Sequence, residues 1–276
     1  MAASSHQMTY PPTILQSFEE PLPHYPDNSS GLSADSQISG ESTRETDPPK
    51  FWFDFGEFFF NQGVVTLRQR YDLLKHLNME FIYRKEEAIK LLVEGDITRA
   101  AALYLLHPVN QTLSALNHHT QCLSEHAANR IRTDVSYKIA GSTFAVIEFK
   151  KRGTIRPDEF VAARRDIDND NPNSQIHINQ YIAAATKTSE RTFFKGNSMK
   201  LMKQAGNYAV KEGTRYVALF DWNYLVLIAF RFNSKVTQQT REDNGPGEWC
   251  RIQSVRNPAK MRKALLGFLV TALNDM

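Results

Sequence analysis

The spacing of apolar residues predicts helices in the first half of the chain. Between Thr66 and Leu106, apolar side chains recur every three or four positions, which is the period of an amphipathic helix. Gly95-Asp96 interrupts this stretch, and His107-Pro108 predicts its end, because the residue before a proline is disfavoured in the helical region of the backbone map. A further helix is expected over residues 112–129.

The period then changes from helical to strand-like. Residues 134–139 alternate between polar and apolar, residues 140–142 form a turn sequence, and residues 143–150 are rich in β-branched and aromatic side chains. This pattern predicts two paired strands. The remainder predicts short helices at 157–165 and 176–187, a helix over 197–212 that stops at Gly213, strands over 215–220 and 224–232, and a C-terminal helix from Asn257-Pro258 to about Leu273. The order predicts an α/β (α+β) fold, in which helices flank a mixed central sheet.

The first 50 residues differ in composition from the rest. They contain seven of the twelve prolines and seven acidic against two basic residues, which leaves 31 basic and 23 acidic residues for positions 51–276. Such a segment buries too little apolar surface to offset chain entropy, so we expect a disordered acidic tail over residues 1–50. An aromatic run at 51–60 starts the packed part, in which we expect a helical prefix over 51–109 and one larger domain over 110–276.

Composition excludes some classes of protein. The longest apolar runs, residues 100–106 and 224–230, are shorter than the roughly 18 residues that a membrane-spanning helix needs. The first residues lack the apolar core of a secretory signal, and two cysteines cannot form a disulfide framework. We therefore expect an intracellular protein of the nucleus or cytoplasm that spans no membrane. The basic balance after residue 50 favours a polyanionic partner.

Two acidic residues and a lysine stand out on the predicted strand pair. Asp134 opens the first strand, and Glu148 and Lys150 lie two positions apart on the second, so their side chains project from the same face. Charged groups on an otherwise apolar strand need partners, and a hairpin would bring Asp134 close to Glu148. Two converging carboxylates form an oxygen site for Mg²⁺ or Mn²⁺. A lysine beside them could orient or deprotonate a water molecule, or stabilise charge that develops in the transition state. Together these groups are the ones that phosphodiester hydrolysis uses.

These residues resemble the motif of the PD-(D/E)XK nuclease superfamily, whose members have the restriction-endonuclease-like fold. The resemblance rests on Thr133-Asp134, followed fourteen positions after the aspartate by Glu148-Phe149-Lys150. Gln204 and Tyr208 in the next long helix are similar to the QxxxY motif of many branches of the superfamily. The strands predicted after this helix resemble those of fungal members. Thr133 stands where the name of the motif has proline.

The resemblance implies a metal-dependent nuclease, with DNA favoured as the substrate, although nothing in the residues distinguishes DNA from RNA. It assigns Asp134 and Glu148 to the Mg²⁺ or Mn²⁺ ion, with Glu125 as a third ligand from the helix before the first strand. It implies that Lys150 acts on the attacking water and that Gln204 takes part in catalysis by positioning substrate. The residues expected to contact the nucleic acid are Gln204, Tyr208, Lys151 and Lys203. The sequence leaves the oligomeric state open, a homodimer included.

Other interpretations stay open at this stage. The same fold without turnover would be a catalytically inactive module that binds nucleic acid or another protein. His118, Cys122 and His126 share one face of the predicted helix, and Cys250 could complete a zinc site, although one straight helix cannot wrap three ligands around a single ion. The helical prefix carries no motif with a chemical role, and we interpret it as a docking, dimerisation or packing element.

Overall fold

A computed structural model describes residues 12–26, 47–82, 90–117, 119–128, 131–167, 174–231, 247 and 249–276. These residues form an eight-stranded mixed sheet with helices packed on both faces. The expected α/β architecture with a mixed central sheet is therefore confirmed. Among the helices in these ranges, none has the length and apolar character that crossing a membrane requires.

The sheet combines antiparallel and parallel pairs. In chain order, its strands are β1 Phe51–Asp54, β2 Gln121–Ala128, β3 Ile131–Ile139, β4 Ser142–Phe149, β5 Arg164–Arg165, β6 Tyr216–Phe220, β7 Leu225–Phe230 and β8 Trp249–Val255. Their order across the sheet is β2-β3-β4-β6-β7-β8-β1-β5. β2, β3 and β4 form one antiparallel meander, and the parallel pair β4–β6 joins it to a second meander of β6, β7 and β8. β1 pairs in parallel with both β8 and β5.

Helices form a layer on each face of the sheet. The α-helices of the described residues are α1 Ile14–Ser17, α2 Phe58–Gln69, α3 Tyr71–Leu74, α4 Glu94–Ala101, α5 His107–Leu116, α6 Asp158–Val161, α7 Ser174–Thr186, α8 Gly196–Glu212 and α9 Met261–Asn274. One apolar cluster joins α2, α4, α5 and α9 to the sheet, and a second cluster joins α6 and α8 to the opposite face. The two clusters make a three-layer molecule.

β4 lies inside the sheet and is buried on both faces. It pairs with β3 on one side and with β6 on the other. Val146 belongs to the cluster under α8, and Ile147 to the cluster under α9. Because side chains alternate along a strand, Glu148 points to the same face as Val146, and Phe149 to the face of Ile147. The charged residue at 148 therefore enters the interface between β4 and α8.

Several predicted elements agree with the structure. The predicted strand pair corresponds to β3 and β4, and the predicted helix over 197–212 corresponds to α8. Gly213 ends α8 with a φ of 68°, a left-handed conformation that glycine adopts without steric cost. α9 begins at Met261 rather than at Asn257-Pro258, because Asn257 closes a turn in which its Oδ1 accepts the N–H of Ala259.

The helix before the first meander continues through His107-Pro108, so the predicted end at this dipeptide is wrong. α4 leads without a break into a π-helical segment, Ala102–Leu106, and then into α5. Pro108 has no N–H to donate to the Tyr104 carbonyl one turn earlier. The buried guanidinium of Arg262 donates to that carbonyl through Nε at 2.6 Å. The wider π turn and the arginine together allow the proline to remain inside the helix.

Part of the predicted tail is ordered, so the expectation of disorder over residues 1–50 is wrong for residues 12–26. Thr13 begins α1 with a capping box. Phe18, Leu22 and Tyr25 are then buried in the cluster under α9. The segment has too little local pattern to predict this order, because its apolar residues are buried only against the folded body. The other residues of this range, apart from 47–50, lie outside the described part.

The helix predicted over residues 112–129 is present only at its start. α5 ends at Leu116, and β2 pairs antiparallel with β3. Pairing with a neighbouring strand overrides helical spacing, because local propensity is a weak determinant of structure. The boundary predicted at residue 109 lies inside α5. Helices α2, α4 and α5 pack in the same apolar cluster as β3, β4 and β6.

Helices α2 and α9 approach each other closely at two glycines. A Cβ atom at Gly63 would lie 1.9 Å from the carbonyl oxygen of Lys263, and one at Gly267 would lie 1.9 Å from the carbonyl oxygen of Phe59. Neither position accepts a side chain unless the helices move apart, because the interface is packed backbone against backbone. This contact fixes α9 against the N-terminal half of the chain.

Candidate active site

The two strands of the first hairpin bring Asp134, Glu148 and Lys150 together where β3 begins and β4 ends. Asp134 lies near the start of β3 and Glu148 near the end of β4, and these strands are antiparallel, so the two residues meet. Lys150 follows β4 directly. Its backbone N–H donates to the carbonyl of Phe220 at the end of β6, at 2.8 Å. The hairpin and the parallel pair together hold the three side chains in place.

Glu148 and Lys150 form a buried ion pair. Lys150 Nζ lies 2.6 Å from Glu148 Oε1. The lysine side chain is 8% exposed and the glutamate side chain is 5% exposed. The second carboxylate oxygen, Oε2, is also buried and accepts no hydrogen bond from the described residues. An unpaired buried oxygen costs free energy, so this position favours an additional donor or cation.

Helix α8 adds two polar side chains to the same carboxylate. Gln204 Nε2 donates to Glu148 Oε1 at 2.7 Å and to the Tyr208 hydroxyl at the same distance. A spacing of four places both residues on one face of the helix. Burial and the charge of Glu148 raise the pKa of Tyr208, so its hydroxyl stays protonated. Gln204 thus orients the glutamate, while its predicted contact with substrate stays a prediction.

Asp134 reaches across the hairpin to the end of β4. Its Oδ2 accepts the backbone N–H of Phe149 at 2.7 Å, and the side chain is half-buried. The bond orients the carboxylate towards the residues on either side of Phe149. The charge of Asp134 acts on both of them, because it raises the pKa of Glu148 and the pKa of Lys150.

Sequence reasoning missed Glu94, a third acidic residue at this site. It is the first residue of α4, and its Oε2 lies 3.8 Å from Lys150 Nζ. Its carboxylate also accepts a hydrogen bond from the backbone of Lys151. Asp96 Oδ2 caps the start of the same helix by accepting the N–H groups of Leu92 and Val93. The predicted helical prefix therefore places one carboxylate next to Lys150.

Burial and crowding of like charges shift the titration of the cluster. Loss of solvation raises the pKa of Glu148 to about 7, and the charges of Asp134 and Glu94 act in the same direction, against the lowering effect of Lys150. Burial also raises the pKa of Glu94. Burial by itself would lower the pKa of Lys150, but the three carboxylates outweigh it and the pKa is raised. The lysine is thus held as an ammonium ion.

The other predicted site residues lie in different settings. Glu125 is on β2, so its expected position on a helix before the first strand is wrong, because α5 ends at Leu116 and the chain pairs with β3. Lys151 is exposed directly after the ion pair, and its predicted contact with nucleic acid stays a prediction. Lys203 is half-buried on α8, and no described contact joins it to the carboxylates.

The helix predicted to present the zinc ligands on one face is not found in the described residues. Cys122 is exposed on β2, whereas Cys250 is buried on β8, and four strands lie between them in the sheet. His118 lies outside the described residues. The helix that would have carried the face is replaced by the end of α5 and by β2.

The donor atoms of the cluster fit a hard divalent cation in part. Asp134, Glu148 and Glu94 supply carboxylate oxygens, the ligands that Mg²⁺ and Mn²⁺ prefer, and Glu148 Oε2 is buried without a partner among the described residues. Within the same part of the chain, no three His, Cys, Asp or Glu side chains stand close enough to form a complete ligand set. Two carboxylates with water ligands would suffice for Mg²⁺, which keeps several waters when bound to proteins.

No protein-family model matches the chain, and neither does any curated protein or any solved structure. The resemblance to the nuclease superfamily therefore rests on the motif residues themselves.

Proposed function

We propose that this protein is a metal-dependent nuclease with the restriction-endonuclease-like core, which hydrolyses phosphodiester bonds, with DNA as the favoured substrate. The observation that supports the proposal best is the convergence of Asp134, Glu148 and Lys150 from separate positions in the sequence. A merely structural ion pair would not require a half-buried aspartate beside it, nor a buried carboxylate oxygen without a partner in the described part of the chain.

Each side chain has a role in this proposal. Asp134 and Glu148 would hold Mg²⁺, with Glu94 as an additional acid, and the ion when bound neutralises phosphate charge and lowers the pKa of a bound water. Lys150 carries a positive charge, because the pKa of its amine is raised by the carboxylates. It therefore stabilises the negative charge that develops on the phosphate group, rather than removing a proton from water. Gln204 keeps Glu148 in one orientation.

The test is cleavage of supercoiled plasmid, single-stranded DNA and RNA by the full chain, with Mg²⁺, with Mn²⁺ and with EDTA. We expect cleavage that requires the metal. Glu148→Gln and Lys150→Met should each lower the rate by at least about 100-fold, because each removes a charge next to the reacting phosphate. Glu94→Gln should also lower the rate, which would assign to Glu94 the role that the resemblance gave to Glu125.

Lys75→Ala is the matched control, since Lys75 is an exposed lysine on the 3₁₀ turn Lys75–Asn78, outside the cluster. It should cleave like the original protein when purified in parallel. Thermal unfolding of every variant separates loss of chemistry from loss of folding. Equal activity in the original chain and in both Glu148→Gln and Lys150→Met would refute the proposal.

A second candidate function is a module that binds nucleic acid and has lost turnover. The close approach of Lys150 to Glu148 favours it, because the ammonium ion already neutralises the carboxylate that a metal would need. In that case the protein binds DNA equally well in EDTA, with an affinity that falls steeply with salt, and cuts no substrate at any metal concentration.

A further inference from the structure

A cavity of about 340 Å³ opens beside the turn between β6 and β7. This turn follows the end of β6, where the Phe220 carbonyl accepts the backbone N–H of Lys150. The cavity therefore lies at the same ends of the strands as the acidic cluster. Its volume is within the range of about 300–1,000 Å³ that holds small-molecule ligands. The residues that line it and carry the argument are His24, Tyr25, Arg152, Trp222, Tyr224 and Arg256.

Arg152 contributes a fixed positive charge to the cavity. Its Nε donates to Asn223 Oδ1 at 2.9 Å, and its Nη1 donates to the carbonyl oxygens of Tyr25 and Pro26 at 2.9 and 3.1 Å. All three acceptors are neutral, and no carboxylate among the described residues pairs with this guanidinium. The hydrogen bonds orient Arg152 without neutralising it, so its charge is available to an anion.

Arg256 adds a second guanidinium on the wall of the cavity. It is exposed, and it makes no hydrogen bond or ion pair with the residues that the structure describes. Two positive charges that line one concave surface attract an anionic phosphate group more strongly than scattered surface charges do. An imidazole, His24, lies on the same surface.

Aromatic side chains form another part of the wall. Trp222 donates through Nε1 to the Pro23 carbonyl at 3.2 Å, and its ring meets the edge of Tyr25 at a centroid distance of 5.4 Å. Trp222 has a φ of 74°, which is rare for a bulky residue and is retained only where the surroundings fix it. Tyr224 is half-exposed and offers a ring for stacking.

We infer that this cavity binds one nucleotide unit of a nucleic-acid strand. The base stacks against the part-exposed ring of Tyr224, next to the buried ring of Trp222, and the phosphate pairs with Arg152 and Arg256. Aromatic rings beside guanidinium groups suit this ligand, because a nucleotide combines a flat apolar base with a charged phosphate. The inference rests on the proposed function, and it places a binding subsite for unpaired substrate next to the site of cleavage.

The test measures binding in EDTA, by quenching of tryptophan fluorescence in the full chain. The probes are 5′-dAMP, a twelve-nucleotide single strand and inorganic phosphate. We expect saturable quenching by the nucleotide and the strand, with the strand bound more tightly. Trp222→Phe should abolish most of the change in signal, which assigns the quenching to the cavity rather than to Trp52 or Trp249.

Matched variants separate the cavity from general surface charge. Arg256→Ala should weaken binding of dAMP by about tenfold, and Tyr224→Leu should weaken it by a similar factor, because one removes a charged partner and the other a stacking ring. Arg68→Ala and Tyr71→Leu change exposed residues of the same types on α2 and α3, and should leave binding unchanged.

Three outcomes would overturn the inference. Binding that is unchanged in both Arg256→Ala and Tyr224→Leu would exclude the cavity. Equal affinity for phosphate and dAMP would exclude recognition of the base, and binding of dAMP without the strand would exclude a nucleic-acid subsite. Absence of binding to every probe would also overturn the inference, and would leave the cleavage proposal to its own test. Because binding is measured without cleavage, a protein that cleaves no substrate still tests the cavity.

Discussion

At the scale of single residues, the environment of Glu148 determines how the cluster behaves. The side chain is buried between β4 and α8, shares one oxygen with Lys150 and Gln204, and lies near two further acids. Burial and repulsion both oppose its ionisation, and the lysine only partly compensates. A carboxylate in such a position destabilises the fold when charged, which proteins tolerate at sites of function.

The stability of the protein should therefore depend on pH through this residue. The pKa of Glu148 is raised from 4.5 to about 7, so the folded state holds the proton more tightly than the unfolded state does. Its favourable contribution is fully present below pH 4.5 and is lost as the pH rises through about 7. Relative to Glu148→Gln, which does not titrate, the original chain should lose about 3 kcal/mol of unfolding free energy across this interval.

Urea unfolding in EDTA, at pH values from 4.5 to 8, measures this difference. Glu190→Gln, a change at an exposed glutamate of the same charge, is the control for net charge. Adding Mg²⁺ at pH 8 should restore stability to the original chain and not to Glu148→Gln, since a ligand that binds the folded state stabilises it. If the unfolding free energies of the original chain and of Glu148→Gln changed with pH in parallel, burial of the charged Glu148 would carry no energetic cost.

The residues of the cluster differed in how far the sequence could identify them. Asp134, Glu148 and Lys150 could be found because strand alternation and hairpin pairing are local, and the spacing of Gln204 and Tyr208 is a property of one helix. Glu94 could not, because its approach to Lys150 depends on how α4 packs on the sheet. Glu125 was assigned instead on the expectation of a helix that strand pairing replaces.

At the scale of elements, the contact of α2 with α9 depends on two glycines. Their backbones touch the partner helix at Phe59 and Lys263, which leaves no volume for a methyl group. Side chains elsewhere in this interface are large and aromatic, with Phe59 and Phe268 packed edge to face at 5.1 Å. The interface therefore alternates between close backbone contact and ring packing.

Gly267→Ala should destabilise the protein by about 1–3 kcal/mol, because the added Cβ forces the helices apart. Gly95→Ala is the matched change at a helical glycine where an added methyl group would meet no atom within 4 Å, and it should be neutral or stabilising by up to about 1 kcal/mol. Chemical unfolding of both variants gives the comparison. Equal stability of the two would mean that the interface adapts without cost.

Elements formed by distant pairing were the hardest to predict. β3, β4 and α8 follow from their own patterns of alternation and helical period. β1 and β8 are parallel neighbours from remote parts of the chain, so neither carries a hairpin signal. The helix from α4 to α5 depends on Arg262, which lies far along the sequence and contacts the Tyr104 carbonyl near Pro108.

At the scale of the whole molecule, residues 12–26 cover one side of the apolar core. Residues 12–26 cover α9, and the buried guanidinium of Arg262 donates to the carbonyls of Ser17 and Glu20. Phe18, at 1% exposure, contributes a full aromatic side chain to the same cluster. The segment is thus part of the fold and also forms a wall of the cavity beside the β6–β7 turn.

Phe18→Ala should lower the unfolding free energy by about 3 kcal/mol, since a buried ring is replaced by a cavity. Phe81→Ala removes a ring that is 56% exposed, and its effect should stay within about 0.5 kcal/mol. Thermal and urea unfolding of the full chain measure both. A small effect of Phe18→Ala would indicate that the core is complete without this segment.

The position of β1 has a consequence for biosynthesis. β1 lies between β5 and β8, yet it leaves the ribosome long before β8 has been made. During that interval its apolar residues lack one of their two neighbours, and unpaired strand edges of this kind are prone to wrong association. Because β8 also joins β1 to β7, the last strand to be translated connects the two parts of the sheet, and the sheet is incomplete until β8 has been made.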